Sequence, residues 1–152
     1  VNLSGSSLNE ESFLGFLKQQ LEQYPINPAI LCFEITETLA IANLQKAVEL
    51  ILELKKIGCH FALDDFGSGM SSFNYLKHLP VDYLKIDCNV VREAPTDSVL
   101  YSMLQSINQI GHIMGLKTIA EYVETPVVLK AVQALGIDYA QGYAISRPRP
   151  LI

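Results

Sequence analysis

A chain of 152 residues, 49% of them hydrophobic, is long enough to bury the core of one domain. Its net charge of −5, with lysines and arginines scattered along the chain, argues against non-specific binding to a nucleic-acid polymer, so a bound phosphate would need positive charge from another source. The three cysteines (Cys32, Cys59 and Cys88) form no C-x-x-C pair and read as reduced, buried thiols, and no apolar run reaches the ~18 residues needed to span a bilayer.

The first run, VNLS, reads as strand and is followed by NEESFLGFLKQQLEQY. Its Phe13, Leu14, Leu17 and Leu21 fall at helical spacing, and Asn9 is placed to cap it. A strand AILCFEIT comes next, then a helix NLQKAVELILELKKIG with an apolar stripe of Ala47, Leu50, Ile51 and Leu54 and a stop at Gly58. HFALDD is a strand before a short helix around SSFNYLKHL. YLKID precedes a long helix through DSVLYSMLQSINQIGHIMG, KTIAEYV precedes the Pro126-started PVVLKAVQALG, and YAQGYAI is the last strand.

Six nearly continuous apolar strands alternating with helices imply an α/β fold with parallel strands covered by helices. Nearly every strand ends in a polar group: Asn2, Glu34, Asp64 with Asp65, Lys85 with Asp87, Glu121, and Gln141. In an eight-stranded (β/α)8 barrel of the TIM type such ends form one ring, whereas an open sheet spreads them along a line. The expectation is therefore about six β-α units of an incomplete barrel. A chain that starts inside a strand also suggests a truncated domain, whose unpaired edges would favour association.

Alternation puts Glu34 and Thr36 on one face of their strand, and Lys85 and Asp87 on one face of theirs. Asp64 and Asp65 converge only if the chain turns beside them, a turn expected of Gly67 and Gly69. Two carboxylates 4 Å apart repel by roughly 4 kcal/mol at an effective dielectric of 20, so the ring of acids calls for cations. Oxygen donors suit Mg²⁺ or Mn²⁺ better than Zn²⁺, and adjacent aspartates suit two ions. An Asp pair before Gly-Ser-Gly is by itself more often turn chemistry, and it is the whole series of strand ends that favours metal. DFG also occurs in kinases, but no Gly-rich loop accompanies it here. His60, His78 and His112 have no ligand spacing and read as structural.

VNLS, FEITET, DDFGSGMSSFNYLKHLPVDYLKID, KTIAEYVET and AQGYAISRP, in this order, resemble the EAL-domain family of cyclic di-GMP phosphodiesterases over essentially the whole chain. The resemblance implies a modified β/α barrel in which two Mg²⁺ or Mn²⁺ ions serve hydrolysis of cyclic di-GMP to linear pGpG. It further implies Asn2, Glu34, Asp64 and Glu121 as metal ligands, Asp65 at the second ion with Asp87 in support, Lys85 at the nucleophilic water, Gln141 helping to hold that water and the substrate, and Glu124 as another acidic position beside it. The segment holding Phe66, Gly67, Ser68 and Gly69 is similar to a loop that couples the metals to homodimerisation, with Glu37 its anchor.

Three departures accompany the resemblance. The Glu-Ala-Leu strand that names the family lies before residue 1, so residues 1–152 read as an EAL domain truncated at its N-terminal side and inactive alone. Tyr122 stands where the family usually has Gly, and alternation turns it away if Glu121 faces the mouth; Met70 replaces an aromatic residue. A silent module that binds cyclic di-GMP or a protein partner is the alternative function, and another metal-dependent barrel hydrolase a third. The expected setting is cytoplasmic, in a parent open to inner-membrane anchoring and to fusion with a sensory or cyclase domain.

Overall fold

The computed structural model describes residues 1–69 and 73–150, without the side chains of Asn9 and Glu11. Expectations that fall on Met70, Ser71, Ser72 and the Asn9 side chain lie outside the described residues. The chain divides into two compact units, Val1–Asp64 with Ser72–Asp82 and Asp65–Ser71 with Tyr83–Ile152.

In the first unit Ser4 accepts a hydrogen bond from Ser7 N at 3.2 Å and starts a short helix, α1 (Gly5–Asn9). The Asn9 backbone thus ends α1, and Glu10 takes the N-cap position of the next helix. The chain is extended at Glu10, and α2 (Glu11–Gln23) follows with no side-chain cap; its expected apolar face is half-buried. The expected strand from Ala29 is shorter than its apolar run. Asn27 caps a 3-10 turn (Pro28–Ile30), where proline lacks the N–H a strand needs, and β1 (Cys32–Thr36) begins only after it.

Thr36 caps α3 (Glu37–Ala42), and α4 (Leu44–Ile57) ends at Gly58 in the left-handed conformation, φ 105°. Strand β2 (His60–Phe66) runs parallel to β1, from Cys32 opposite His60 to Thr36 opposite Asp64. Phe33 and Ile35 of β1, Ile51 and Leu54 of α4, Phe61 and Leu63 of β2 and Leu76 make the core of this unit.

The second unit carries β3 (Tyr83–Ile86), α5 (Cys88–Glu93), α6 (Ser98–Ile113), β4 (Lys117–Ala120), α7 (Pro126–Ala134) and β5 (Tyr139–Ala140). Asp97 accepts from Val99 N and Leu100 N to start α6, and Thr125 from Val128 N to start α7, with Pro126 in its first turn. Leu84, Ile86, Val91, Leu104, Val123 and Val132 are fully buried. Strands β3, β4 and β5 pair in parallel, Tyr83 opposite Lys117 and Ile119 opposite Tyr139.

The fold is α/β with five parallel strands in the order β1-β2-β3-β4-β5, and among the described residues the sheet is not closed. The sixth expected strand, at residue 1, amounts to an isolated bridge of Asn2 with Glu34, because Ser4 diverts the chain into α1 at once. None of the three cysteines is in a disulfide; Cys59 is buried, whereas Cys32 and Cys88 are half-buried, against the expectation for those two. No described helix is long and apolar enough to cross a membrane.

Each unit contains an aspartate that ties a strand to the residue preceding the next strand. Asp82 accepts from Phe61 N at 2.9 Å and Lys55 Nζ at 2.6 Å, with His60 Nδ1 at 3.6 Å. Asp138 accepts from Thr118 N at 2.9 Å, Lys117 Nζ at 2.7 Å and His112 Nε2 at 2.7 Å. Behind it the Thr118 hydroxyl donates to Asn108 Oδ1 at 2.6 Å, and Asn108 Nδ2 donates to Leu135 O at 2.8 Å. Two of the three histidines thus serve these clamps, as structural residues would.

Burial alone would raise the Asp138 carboxyl, but the hydrogen bonds from Lys117, Thr118 N–H, His112 and the Thr118 hydroxyl together hold it well below the usual carboxylate range. A folded-state pKa depressed in this way contributes stability that is present above the unfolded value of about 3.9 and is lost as pH falls below it. Asp138→Asn is therefore expected to cost about 2 kcal/mol at pH 7, and the gap from wild type should narrow below about pH 4. Urea unfolding at pH 7 and pH 3 checks both; a gap that is unchanged at pH 3 would refute the electrostatic origin.

Candidate metal centre

In the first unit, Leu3 N donates to Glu34 O at 2.8 Å and Glu34 N to Val1 O at 2.9 Å, which sets Asn2 beside Glu34 in parallel register. Glu34 is opposite Ala62 on β2, and Asp64 is opposite Thr36. Glu37, the first residue of α3, is buried and accepts a hydrogen bond from the Tyr75 hydroxyl on the 3-10 turn Tyr75–His78. Burial, and then the Glu37 carboxylate, push the Tyr75 phenol above its ordinary range. Tyr75 keeps its proton and remains the donor.

In the second unit the backbone turns at the end of β2, two residues before the first glycine. Asp65 itself is left-handed, φ 57°, and Gly67 follows at φ 93°. Aspartate tolerates this conformation better than most residues. Asp65 O accepts from Ser68 N at 3.3 Å, and Phe66 O accepts from Asp87 N at 3.0 Å, fixing both ends of the turn. The result brings carboxylate oxygens of Asp65 and Glu121 within 4.8 Å of each other.

At that separation the two charges repel by roughly 3–4 kcal/mol at an effective dielectric of 20. The compensating cation is Lys85, whose Nζ is 2.9 Å from Glu121 Oε1 with both side chains largely shielded from water. Asp87 is also buried, and it has a role not expected from the sequence: its Oδ1 accepts from Asn89 N at 2.9 Å and Asn89 Nδ2 at 3.1 Å, capping α5. The adjacent Cys88 thiol is pushed up by burial and then by Asp87, with Arg92 opposing and Asp65 and Glu121 adding to the rise.

Strand β4 stops at Ala120, so the alternation used to orient Tyr122 does not reach it. Tyr122 is left-handed, φ 52°, and faces the same cavity as Glu121, contrary to the expectation that it turns away. This cavity, about 210 Å³, is lined by Glu121, Tyr122, Glu124, Gln141, Gly142 and Tyr143. Gln141 is held through its backbone, its N donating to Ala120 O at 2.8 Å and its O accepting from Val123 N at 3.0 Å. Gly142 lies so close to the 121–123 turn that a Cβ there would meet Val123 O at 2.3 Å.

The family model for the EAL domain matches residues 1–148. The chain belongs to the EAL domain family. This EAL chain is 45% identical over 151 residues to the cyclic di-GMP phosphodiesterase PdeB of Shewanella oneidensis, covering 99% of itself and 18% of that protein. It is 39% identical over 152 residues to the cyclic di-GMP phosphodiesterase PdeF of Escherichia coli, covering 20% of that relative. The chain thus spans about a fifth of the length of these relatives. Among solved structures it is similar to PaMucR phosphodiesterase in a c-di-GMP complex, with a TM-score of 0.92 and 32% identity over 99% of this chain and 61% of that one.

The donor set of the EAL chain fits a hard divalent ion. Asp65 and Glu121 offer only oxygen, and with their carboxylate oxygens within 4.8 Å of each other they are close enough to serve one hard ion or two neighbouring ones. Tyr75 and the capping role of Asp87 were not legible in the sequence. The only local signal for the cap is that Asp is among the residues preferred at an N-cap, here directly after the strand YLKI.

Proposed function

We propose that this EAL chain is the carboxy-terminal part of a domain that hydrolyses cyclic di-GMP to linear pGpG. The observation that carries the reading is the meeting of Asp65 and Glu121 within 4.8 Å, with the Lys85 ammonium 2.9 Å from Glu121. In this reading Asn2, Glu34, Asp64 and Glu121 hold one Mg²⁺ or Mn²⁺ ion and Asp65, supported by Asp87, a second. Bound there, the ions lower the pKa of water and neutralise phosphate charge.

Lys85 carries the remaining positive charge. Its ammonium, oriented by Glu121, donates to the attacking water and to the oxygen on which charge develops. Gln141 and Glu124 line the cavity with Glu121; the Gln141 side-chain amide donates to the water and substrate, and Glu124 is a further acceptor beside them. The same reading assigns homodimerisation to the segment holding Phe66, Gly67, Ser68 and Gly69, with Glu37 and Tyr75 as its anchor. It places the protein in the cytoplasm, where cysteine thiols stay reduced.

The test is nucleotide separation after incubating cyclic di-GMP and Mn²⁺ with the intact domain. Wild type is expected to release pGpG, EDTA to stop it, and Asp64→Ala to slow it at least about 100-fold. Cyclic di-GMP that is bound but never linearised would overturn hydrolysis and leave a binding module.

A further inference from the structure

Asp65 and Tyr122 are the non-glycine residues with left-handed backbone among the described residues. For an aromatic residue this conformation is strained, because its Cβ crowds the backbone carbonyl, and it persists only where the surroundings enforce it. They do so here. Ala120 and Val123 are both fully buried, Val123 N donates to Gln141 O and Ala144 N donates to Val123 O at 3.0 Å each, and the chain must reverse between them. Glycine would make that turn without strain.

Packing does not account for a tyrosine at this position. Tyr122 is 54% exposed, so most of its ring contributes no burial to offset the strain. Tyr122 lines the cavity beside Glu121, where Tyr143 is a second exposed tyrosine at 57%. Tyr143 already has the Arg147 guanidinium over its ring, 5.1 Å from the centroid. Flat aromatic surface at the walls, with Gln141 and Glu124 to hydrogen-bond an edge, suits a planar heteroaromatic ring bearing amide and amine groups. At about 210 Å³ the cavity is smaller than the roughly 300–1,000 Å³ that encloses a whole drug-sized ligand, so it receives one ring system of a larger molecule.

We propose that Tyr122 is a specificity-determining residue that stacks on a purine base of the bound nucleotide. The inference rests on the reading that the nucleotide is cyclic di-GMP.

The experiment is calorimetric titration of cyclic di-GMP into the intact domain in EDTA, where the proposed hydrolysis does not run, and again with Mn²⁺, beside thermal melting. Base–aromatic stacking predicts that Tyr122→Leu and Tyr122→Gly weaken binding by about 5- to 150-fold, while Tyr122→Phe stays within about threefold of wild type. Tyr122→Gly relieves the strain and should raise Tm by about 2–4 °C even as it loses affinity, opposite signs that a purely structural tyrosine would not produce. Tyr122→Leu or Tyr122→Gly binding as tightly as wild type overturns the stacking role and leaves the ligand reading intact. Wild type that binds cyclic di-GMP under neither condition overturns the ligand reading, and this role with it.

Discussion

Gly142→Ala is expected to destabilise the chain by about 3 kcal/mol or more, among the largest effects a single added methyl group produces. A Cβ at Gly142 would stand 2.3 Å from Val123 O, 2.4 Å from Val123 N and 2.6 Å from Val123 C. These are backbone atoms of a residue that is itself fully buried and hydrogen-bonded to Gln141 and Ala144, so nothing flexible can move aside. Either the turn carrying Glu121 and Tyr122 shifts or the strand end carrying Gln141 does, and the cavity is lost in both cases. Urea unfolding measures the cost. Gly15→Ala is the control: nothing lies within 4 Å of its added Cβ in α2, and better helix propensity should stabilise by about 0.5–1 kcal/mol. Equal midpoints for Gly142→Ala and wild type would sink the steric argument.

Lys85→Met is the second large effect, with an expected loss of about 3–5 kcal/mol at neutral pH. Lys85 is 5% exposed and its ammonium faces a carboxylate that has another within 4.8 Å. Taking away the cation leaves the shielded Glu121 carboxylate without its partner and with the exposed Asp65 carboxylate within 4.8 Å. Because the cost comes from the orphaned charge and not from lost packing, Lys85→Met combined with Glu121→Gln should recover a large part of it. Divalent ions should also raise the stability of Lys85→Met in unfolding titrations, since they supply the missing charge. In the proposed hydrolysis the single variant should lose at least about 100-fold in rate. A double variant no more stable than the single one would show that the lysine acts through its stem and not its charge.

The site was legible as a list of residue types before it was legible as a geometry. Acidic and amide groups recurring at the ends of apolar runs are a one-dimensional signal, and the structure does bring Asn2 beside Glu34 and Asp65 beside Glu121. Orientation was legible only as far as strand periodicity extends. It holds for Phe33 and Ile35, which are buried on one face of β1 while Glu34 and Thr36 take the other. It fails at Tyr122, because β4 ends at Ala120 and a left-handed residue has no strand period to obey.

The same division runs through the secondary structure. α4, α6 and α7 announce themselves by apolar stripes and by stop or start residues, and each is found within a residue or two of its expected ends. The short helices α1, α3 and α5 were missed, since five or six residues are too few to show a period. Their caps Ser4, Thr36 and Asp87 mark them only once the backbone has turned.

What the sequence by itself determined is the α/β alternation, the membership of the EAL family and the chemical character of the centre, because hydrophobic period and residue type are local properties of the chain. What the tertiary structure decided is which groups meet. Lys85 finds Glu121, Tyr75 finds Glu37 and Asp138 finds Thr118, Lys117 and His112 across separations of 20 to 38 residues. Such pairings depend on strand register and on turns enforced by buried neighbours, and no window of sequence contains both partners.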